Sequence, residues 1–191
     1  MCGIAGSVNH PLDIPRLTRD LWHRGPDEQS TFADRNLQFH HHRLSILDIQ
    51  GGKQPMHSGP YTLIFNGEIY NHRSLREKYK LQGLQTHSDT ETILHLYAQM
   101  GPACLQDMDG MFAFAIYDRD KQELFLARDR AGKKPLYYFS DGTRFVFASE
   151  LNALRRQLDL QVHEQALQQY IRLGYFYKQH TVYRQVQELP A

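Results

Sequence analysis

An α+β fold with a largely antiparallel strand core follows from three features of this 191-residue chain. Short segments rich in aromatic and β-branched residues recur from the start to about residue 158. Turn-forming clusters separate them. Segments with helical spacing are few and lie between the strands, which suggests packed layers of both kinds.

The elements follow in order. "GIAGSV" at 3–8 reads as a strand, and Leu12 to Trp22 as a short helix. After the turn cluster "FADRN", "LQFHHHRLSI" at 37–46 reads as a second strand, and "YTLIFN" at 61–66 as a third. Asn66-Gly67 follows at once and is a strong hairpin signal, because both central residues of a type I′ turn take positive φ. "HRSLREKYK" at 72–80 and "DTETILHLYAQM" at 89–100 read as helices, the second with Ile93, Leu96, Tyr97 and Met100 at helical spacing. Ser88 and Glu91 form a capping-box pattern at its start. "MFAFAIYD", "ELFLARD", "LYYFS" and "FVFAS" are further strands, parted by the turns "YDRDKQ" and "SDGT". Helices are expected at Glu150 to Leu158 and Glu164 to Leu173. Strand alternation stops near Leu158, which divides a core of residues 1–158 from an extension of residues 159–191.

Lys and Arg total 22 against 21 for Asp and Glu, so no strong net field favours nucleic acid or an anionic membrane. No apolar run approaches the roughly 18 residues of a membrane span. Asn9, His10 and Pro11 interrupt the N-terminal apolar run, against a secretory signal. Two distant cysteines, Cys2 and Cys104, give no disulfide framework and fit a reducing, cytoplasmic setting. His40, His41 and His42 cannot all face one ion from a strand, where neighbours alternate sides, so no metal site is expected. "RDRAGKK" at 128–134 lacks the first glycine and the final Ser or Thr of a phosphate loop.

Five features carry candidate chemistry, each beside a plainer account. Aminopeptidases remove an initiator methionine when the next side chain is small, so a mature chain would begin at Cys2. One residue would then hold a thiol and an α-amine of reference pKa about 7.7–8.0, able to take the thiol proton. An incidental second residue is the alternative. Asn66 and Gly67 are explained by a turn alone, yet a side-chain amide beside a glycine N–H also makes two oxyanion donors. Asp89 suits a helix N-terminus whatever else it does. Arg43 is either a surface residue or a clamp for a small carboxylate, and "RLSILDIQGG" a loop able to act as a lid.

These motifs occur together and in order: "MCGIAG", "HRGPD" at 23–27, "HRLSILD" at 42–48, "NGEIYN" at 66–71, "SDTE" at 88–91, "DGMFAFAIYD" at 109–118, "KPLYY" at 134–138 and "FASEL" at 147–151. As a set they resemble the glutaminase domain, a class II glutamine amidotransferase, of glutamine-hydrolysing asparagine synthetases. The resemblance runs from Met1 to about Leu158. It implies an N-terminal nucleophile hydrolase fold, a four-layer αββα sandwich. It implies Cys2 as nucleophile with its own α-amine as base, and Asn66 and Gly67 as the oxyanion hole. Arg43 would hold the substrate α-carboxylate, Glu68 and Asp89 its α-ammonium, with Leu44 and Ile46 also at the substrate.

The implied reaction converts L-glutamine to glutamate and ammonia through a thioester. The implied partner is a synthetase domain or subunit that receives the ammonia, and the resemblance also admits a homodimer. No cofactor is expected in this chain, since ATP and magnesium belong to the synthetase domain. That domain carries a Ser-Gly-Gly motif which this sequence lacks, so the chain reads as a fragment of a longer synthetase or a stand-alone glutaminase. Two other readings stay open on the residues: a hydrolase of another amide, and a non-catalytic glutamine-sensing or interaction domain.

Overall fold

A computed structural model describes residues 1–191. The chain runs β1 (Gly3–Val8), α1 (Ile14–Leu21), a 3-10 turn (Trp22–Arg24), β2 (Glu28–Asp34), β3 (Leu37–Arg43), β4 (Met56–Ser58) and β5 (Tyr61–Ile69). It continues with α2 (His72–Lys78), α3 (Asp89–Met100), a second 3-10 segment (Gly101–Gln106), β6 (Gly110–Asp118) and β7 (Glu123–Arg128). The last elements are β8 (Tyr137–Ser140), β9 (Phe145–Ala148), α4 (Leu151–Gln157), α5 (Glu164–Leu173) and β10 (Val186–Glu188). One sheet has the order β10-β8-β9-β1-β3-β2 and the other β4-β5-β6-β7. Every strand pairing is antiparallel.

Side-chain alternation along the strands explains why two sheets stack. Ile4, Phe39 and Phe147 of the first sheet meet Ile64, Ala113 and Ala115 of the second in the central core. The opposite residues face outward and need helices over them. Ala5, Val146 and Ala148 pack against Leu17 and Leu21 of α1 and Leu154 of α4. Leu63, Phe65 and Phe114 pack against Leu75 of α2 and Ile93 and Leu96 of α3. The result is a four-layer αββα sandwich, the architecture that the family resemblance implies. No helix is long and apolar enough to cross a membrane.

The structure corrects two local expectations. Asn66-Gly67 is not a hairpin turn, because β5 continues to Ile69 and pairs Asn66 with Ala113 and Gly67 with Phe112 of β6. Burial of Leu63, Phe65 and Ile69 beneath α2 and α3 holds the strand straight through the pair. Glycine is required there for another reason: a Cβ on Gly67 would collide with the main-chain carbonyl of Met111. The capping box is also only half formed. Ser88 Oγ accepts from Thr90 N at 3.2 Å, but the Glu91 carboxylate accepts from Gln85 N at 2.7 Å and Thr86 N at 2.9 Å in the preceding loop.

Three strands, β2, β4 and β10, lie outside the sequence expectation. Along β2 half-buried and exposed residues alternate, which leaves little apolar signal on an edge strand. Between 159 and 191 the chain first leaves the sandwich as α5, where Ala166 is the buried residue, and then returns. β10 pairs with β8, and Arg128 fastens the return by an ion pair to Glu188 at 2.7 Å and a bond to Leu189 O at 2.9 Å.

Candidate active site

Cys2 immediately precedes β1, next to the end of β3, since Gly3 pairs with His42. The Leu44 amide donates to Cys2 Sγ at 3.4 Å, and the Leu44 carbonyl lies 3.7 Å from the same sulfur. Arg24 of the first 3-10 turn donates to the Cys2 carbonyl at 3.0 Å and is ion-paired with Glu150 at 2.5 Å. Burial pushes the Cys2 thiol above its usual pKa, while the bond to Leu44 and the charges of Arg43 and Arg24 pull the other way. Cys104 is pushed to about 12 by burial in the helix-side core, which removes it as a nucleophile.

β5 supplies the opposite wall. Asn66 is fully buried, and neither its Nδ2 nor its Oδ1 has a protein partner. The buried side chain of an asparagine normally finds partners, so this amide is free for a ligand. Gly67 contributes its backbone. The N–H groups of Phe65, Gly67 and Ile69 leave the same edge of β5. Phe65 N–H donates to Gln54 Oε1 at 2.6 Å and Ile69 N–H to Asp89 Oδ2 at 2.9 Å. The main chain of Phe112, opposite Gly67, bonds Asp129 on its far side instead. The Gly67 N–H is thus aimed between Gln54 and Asp89, next to the Asn66 amide.

Charged groups line the same cavity. Arg43 donates to Glu28 and Ile49 O, both at 2.8 Å, and to Asp48 O at 3.0 Å. Two of the five guanidinium N–H groups remain. The segment expected as a lid is folded around this guanidinium, tied by Gly52 N to Asp48 O at 2.7 Å and by His87 N to Asp48 Oδ2 at 2.7 Å. Ile46 on this segment lines the cavity and is still 67% exposed. Asp89 opens α3 and is 4% exposed; burial, reinforced by the like charge of Glu68, pushes its carboxyl up to about 6 against its amide bonds. Cys2, Arg43, Leu44, Ile46, Asn66, Gly67, Glu68 and Asp89 all line one cavity at the end of the inter-sheet layer.

A family model described as a glutamine amidotransferase domain matches residues 1–191. This chain belongs to that family. Asparagine synthetase [glutamine-hydrolyzing] 3 of Bacillus subtilis is 39% identical over 173 residues, covering 84% of this chain and 28% of the relative. Asparagine synthetase B [glutamine-hydrolyzing] of Escherichia coli is 46% identical over 166 residues, 81% of this chain and 30% of the relative. The amidotransferase domain described here thus spans about a third of the length of these curated relatives. Among solved structures, glutamine phosphoribosylpyrophosphate amidotransferase from B. subtilis, complexed with ADP and GMP, is similar in fold. Its TM-score is 0.64 at 24% identity, over 81% of this chain and 43% of that one.

The cavity of this amidotransferase domain also contains residues that sequence reasoning missed. Gln54 holds the Phe65 amide, Met1 covers Cys2, and Lys134 contacts the Met1 sulfur. Lys134 stands in both "RDRAGKK" and "KPLYY". A lysine inside an aromatic strand lead-in is the available signal, masked by the partial likeness of the first motif to a phosphate loop. The triple histidine divides between faces as strand geometry requires: the His40 and His42 rings lie 4.9 Å apart, and His41 faces Phe65 O at 3.3 Å. No group of three or more His, Cys, Asp or Glu side chains is arranged to hold a metal ion.

Proposed function

We propose that this domain hydrolyses L-glutamine to glutamate and ammonia and delivers the ammonia to an asparagine-synthetase-type amide-forming reaction. The observation that carries the reading is one cavity lined by a thiol, an unpartnered amide and the charged groups Arg43, Glu68 and Asp89. A zwitterionic head group needs one cation and one or two anions; the neutral carboxamide of glutamine needs a nucleophile and oxyanion donors.

The chemistry requires that Met1 be gone. The Cys2 α-amine then takes the thiol proton as Sγ attacks the side-chain carboxamide carbon. The carbonyl electron pair moves to oxygen, where Asn66 Nδ2–H and Gly67 N–H hold the oxyanion. Collapse breaks the C–N bond, and the α-ammonium returns the proton to the departing ammonia. Water, activated by the same amine, cleaves the γ-glutamyl thioester and releases glutamate.

The synthetase partner is a further portion of a longer chain or a separate subunit, and residues 159–191 form the lead-in to it. ATP and magnesium act there, and glutamine hydrolysis itself calls on no cofactor. We place the domain in the cytoplasm, and a homodimer as an assembly to test by sedimentation. Intact mass of the N-terminus combined with glutamate release tests the core reading. Chains beginning at Cys2 are expected to release glutamate and chains retaining Met1 are not; equal activity of the two would overturn it.

A further inference from the structure

Lys134 is a buried lysine without a carboxylate. It is 2% exposed, lines the glutamine cavity, and its Nζ contacts only the sulfur of Met1; no Asp or Glu oxygen lies within 4 Å of it. A buried ammonium is costly unless something compensates it, so an uncompensated one calls for a counter-charge at work.

The loop that carries Lys134 is built to aim it. The Asp129 carboxylate accepts four main-chain amides: Phe112 at 3.1 Å, Ala131 at 3.1 Å, Lys133 at 2.9 Å and Lys134 at 3.0 Å. Arg128 closes the loop from the other side, donating to Lys134 O at 2.7 Å and Gly132 O at 2.5 Å. Phe112 is the register partner of Gly67, so one carboxylate fixes Lys134 relative to the strand that carries the oxyanion donors.

Arg43 and Arg24 bear on the Cys2 sulfur, and both have their charge met elsewhere, while Lys134 lines the same cavity. Arg24 is paired with Glu150 at 2.5 Å and Arg43 with Glu28 at 2.8 Å. The acidic groups nearby are Asp129 of the lysine's own loop, Glu68 of β5, Asp89 of α3 and Asp27 ahead of β2; Asp129 is spent on four main-chain amides and Asp27 is engaged by the Ser45 amide. Glu68 and Asp89 are the groups assigned to the substrate ammonium. Lys134 is left as the cation whose charge is directed at the sulfur end of the cavity.

We infer that Lys134 is an electrostatic positioning residue for the reaction: with Met1 removed, its ammonium faces the Cys2 sulfur and stabilises the anion formed as the thiol proton passes to the α-amine. The mutual attraction of Cys2 and Lys134 acts in the same sense, and burial, then Arg24, lowers the lysine pKa while Asp129 and Cys2 hold it up. The inference rests on Cys2 being the nucleophile and adds the source of its activation.

The test is alkylation of Cys2 by iodoacetamide, a neutral reagent that the lysine charge does not recruit. It is followed by peptide mass spectrometry over a pH series, on chains whose intact mass shows Met1 removed. Lys134→Met is expected to move the alkylation midpoint upward by about one pH unit. Lys134→Arg should bring it back toward the native value. Lys134→Gln, which keeps a polar tip in the buried slot, replaces the methionine variant if circular dichroism shows that one unfolded. An unchanged midpoint in a folded neutral variant would overturn the inference, because a purely structural lysine would alter melting and leave the midpoint in place. The readout contains no glutamine. A shifted midpoint in a protein that releases no glutamate would therefore count against the glutamine reading and leave the role of Lys134 standing.

Discussion

The Leu44 amide lies 3.4 Å from the Cys2 sulfur, so the residue next to Arg43, the proposed carboxylate clamp, also holds the proposed nucleophile. Head-group recognition and thiol placement share one stretch of backbone, at the point where β3 ends. A substrate that shifts the loop after Arg43 shifts the sulfur with it. The following expectations build on that geometry.

Cys2→Ala should abolish glutamate release with little change in melting, since the side chain is at the mouth of the cavity and bonded only to Leu44. Cys104→Ala should retain the activity, because that thiol is buried and held near 12. A diazo-ketone glutamine analogue should label Cys2 in intact-mass and peptide measurements. Label on Cys104 would defeat the assignment.

Asn66→Ala removes one of two oxyanion donors. kcat should fall roughly 100- to 1,000-fold with little change in KM, as expected of a group that acts on the transition state. Steady-state glutamate assays separate the two parameters. A rise in KM with kcat intact would instead place Asn66 in ground-state binding.

Gly67→Ala tests the backbone rather than the side chain. The new Cβ meets the Met111 carbonyl, so β5 must move away from β6. A stability loss of about 1–3 kcal/mol is expected in denaturant titrations, together with loss of activity. A hairpin glycine would lose stability through its positive φ instead, with the strand pairing of β5 and β6 left in place.

Asp89 gives a signed pH dependence. Its carboxyl titrates near 6 in the free domain, above the value of an unfolded aspartate, so the unliganded fold is favoured by acid and loses that increment as pH rises through 6. A bound α-ammonium has the reverse preference, since it needs the carboxylate. KM for glutamine should therefore climb as pH falls below about 6. Asp89→Asn should raise KM roughly ten- to a hundredfold and flatten this climb.

His40 and His41 set a limit on acid stability. Burial holds them neutral, with pKa values of about 4 and about 3 against 6.5 when unfolded. Between those values the unfolded chain binds the protons, so stability falls as pH drops below 6.5. Each ring contributes about 1.4 kcal/mol per pH unit once well below it. Melting followed by circular dichroism should decline steeply from pH 6.5 toward 4, and less steeply in a His41→Gln variant.

Much of this was legible from residues alone because alternation and local signals agreed. The strands beginning at Gly3, Leu37, Tyr61, Gly110 and Phe145 each place one face on the central core. Asn66-Gly67 misled because a local turn preference was overridden by burial on both sides of β5, and the glycine answers a neighbouring strand that sequence spacing does not reveal. β10 is three residues long and exists only through pairing with β8 and the reach of Arg128. Among site residues, those with a chemical type matching a ligand charge were visible. Lys134 was not, since its meaning depends on a lack of partners that only three-dimensional packing exposes.

The placement of Cys2 ahead of the central strand has a practical side. β1 pairs with β3 from Gly3 and with β9 from Ala5, which fixes Cys2 against the cavity, and an amino-terminal affinity tag would put a peptide bond on the proposed catalytic amine. A preparation tagged ahead of Cys2 would read as an inactive protein when only its first residue had been blocked.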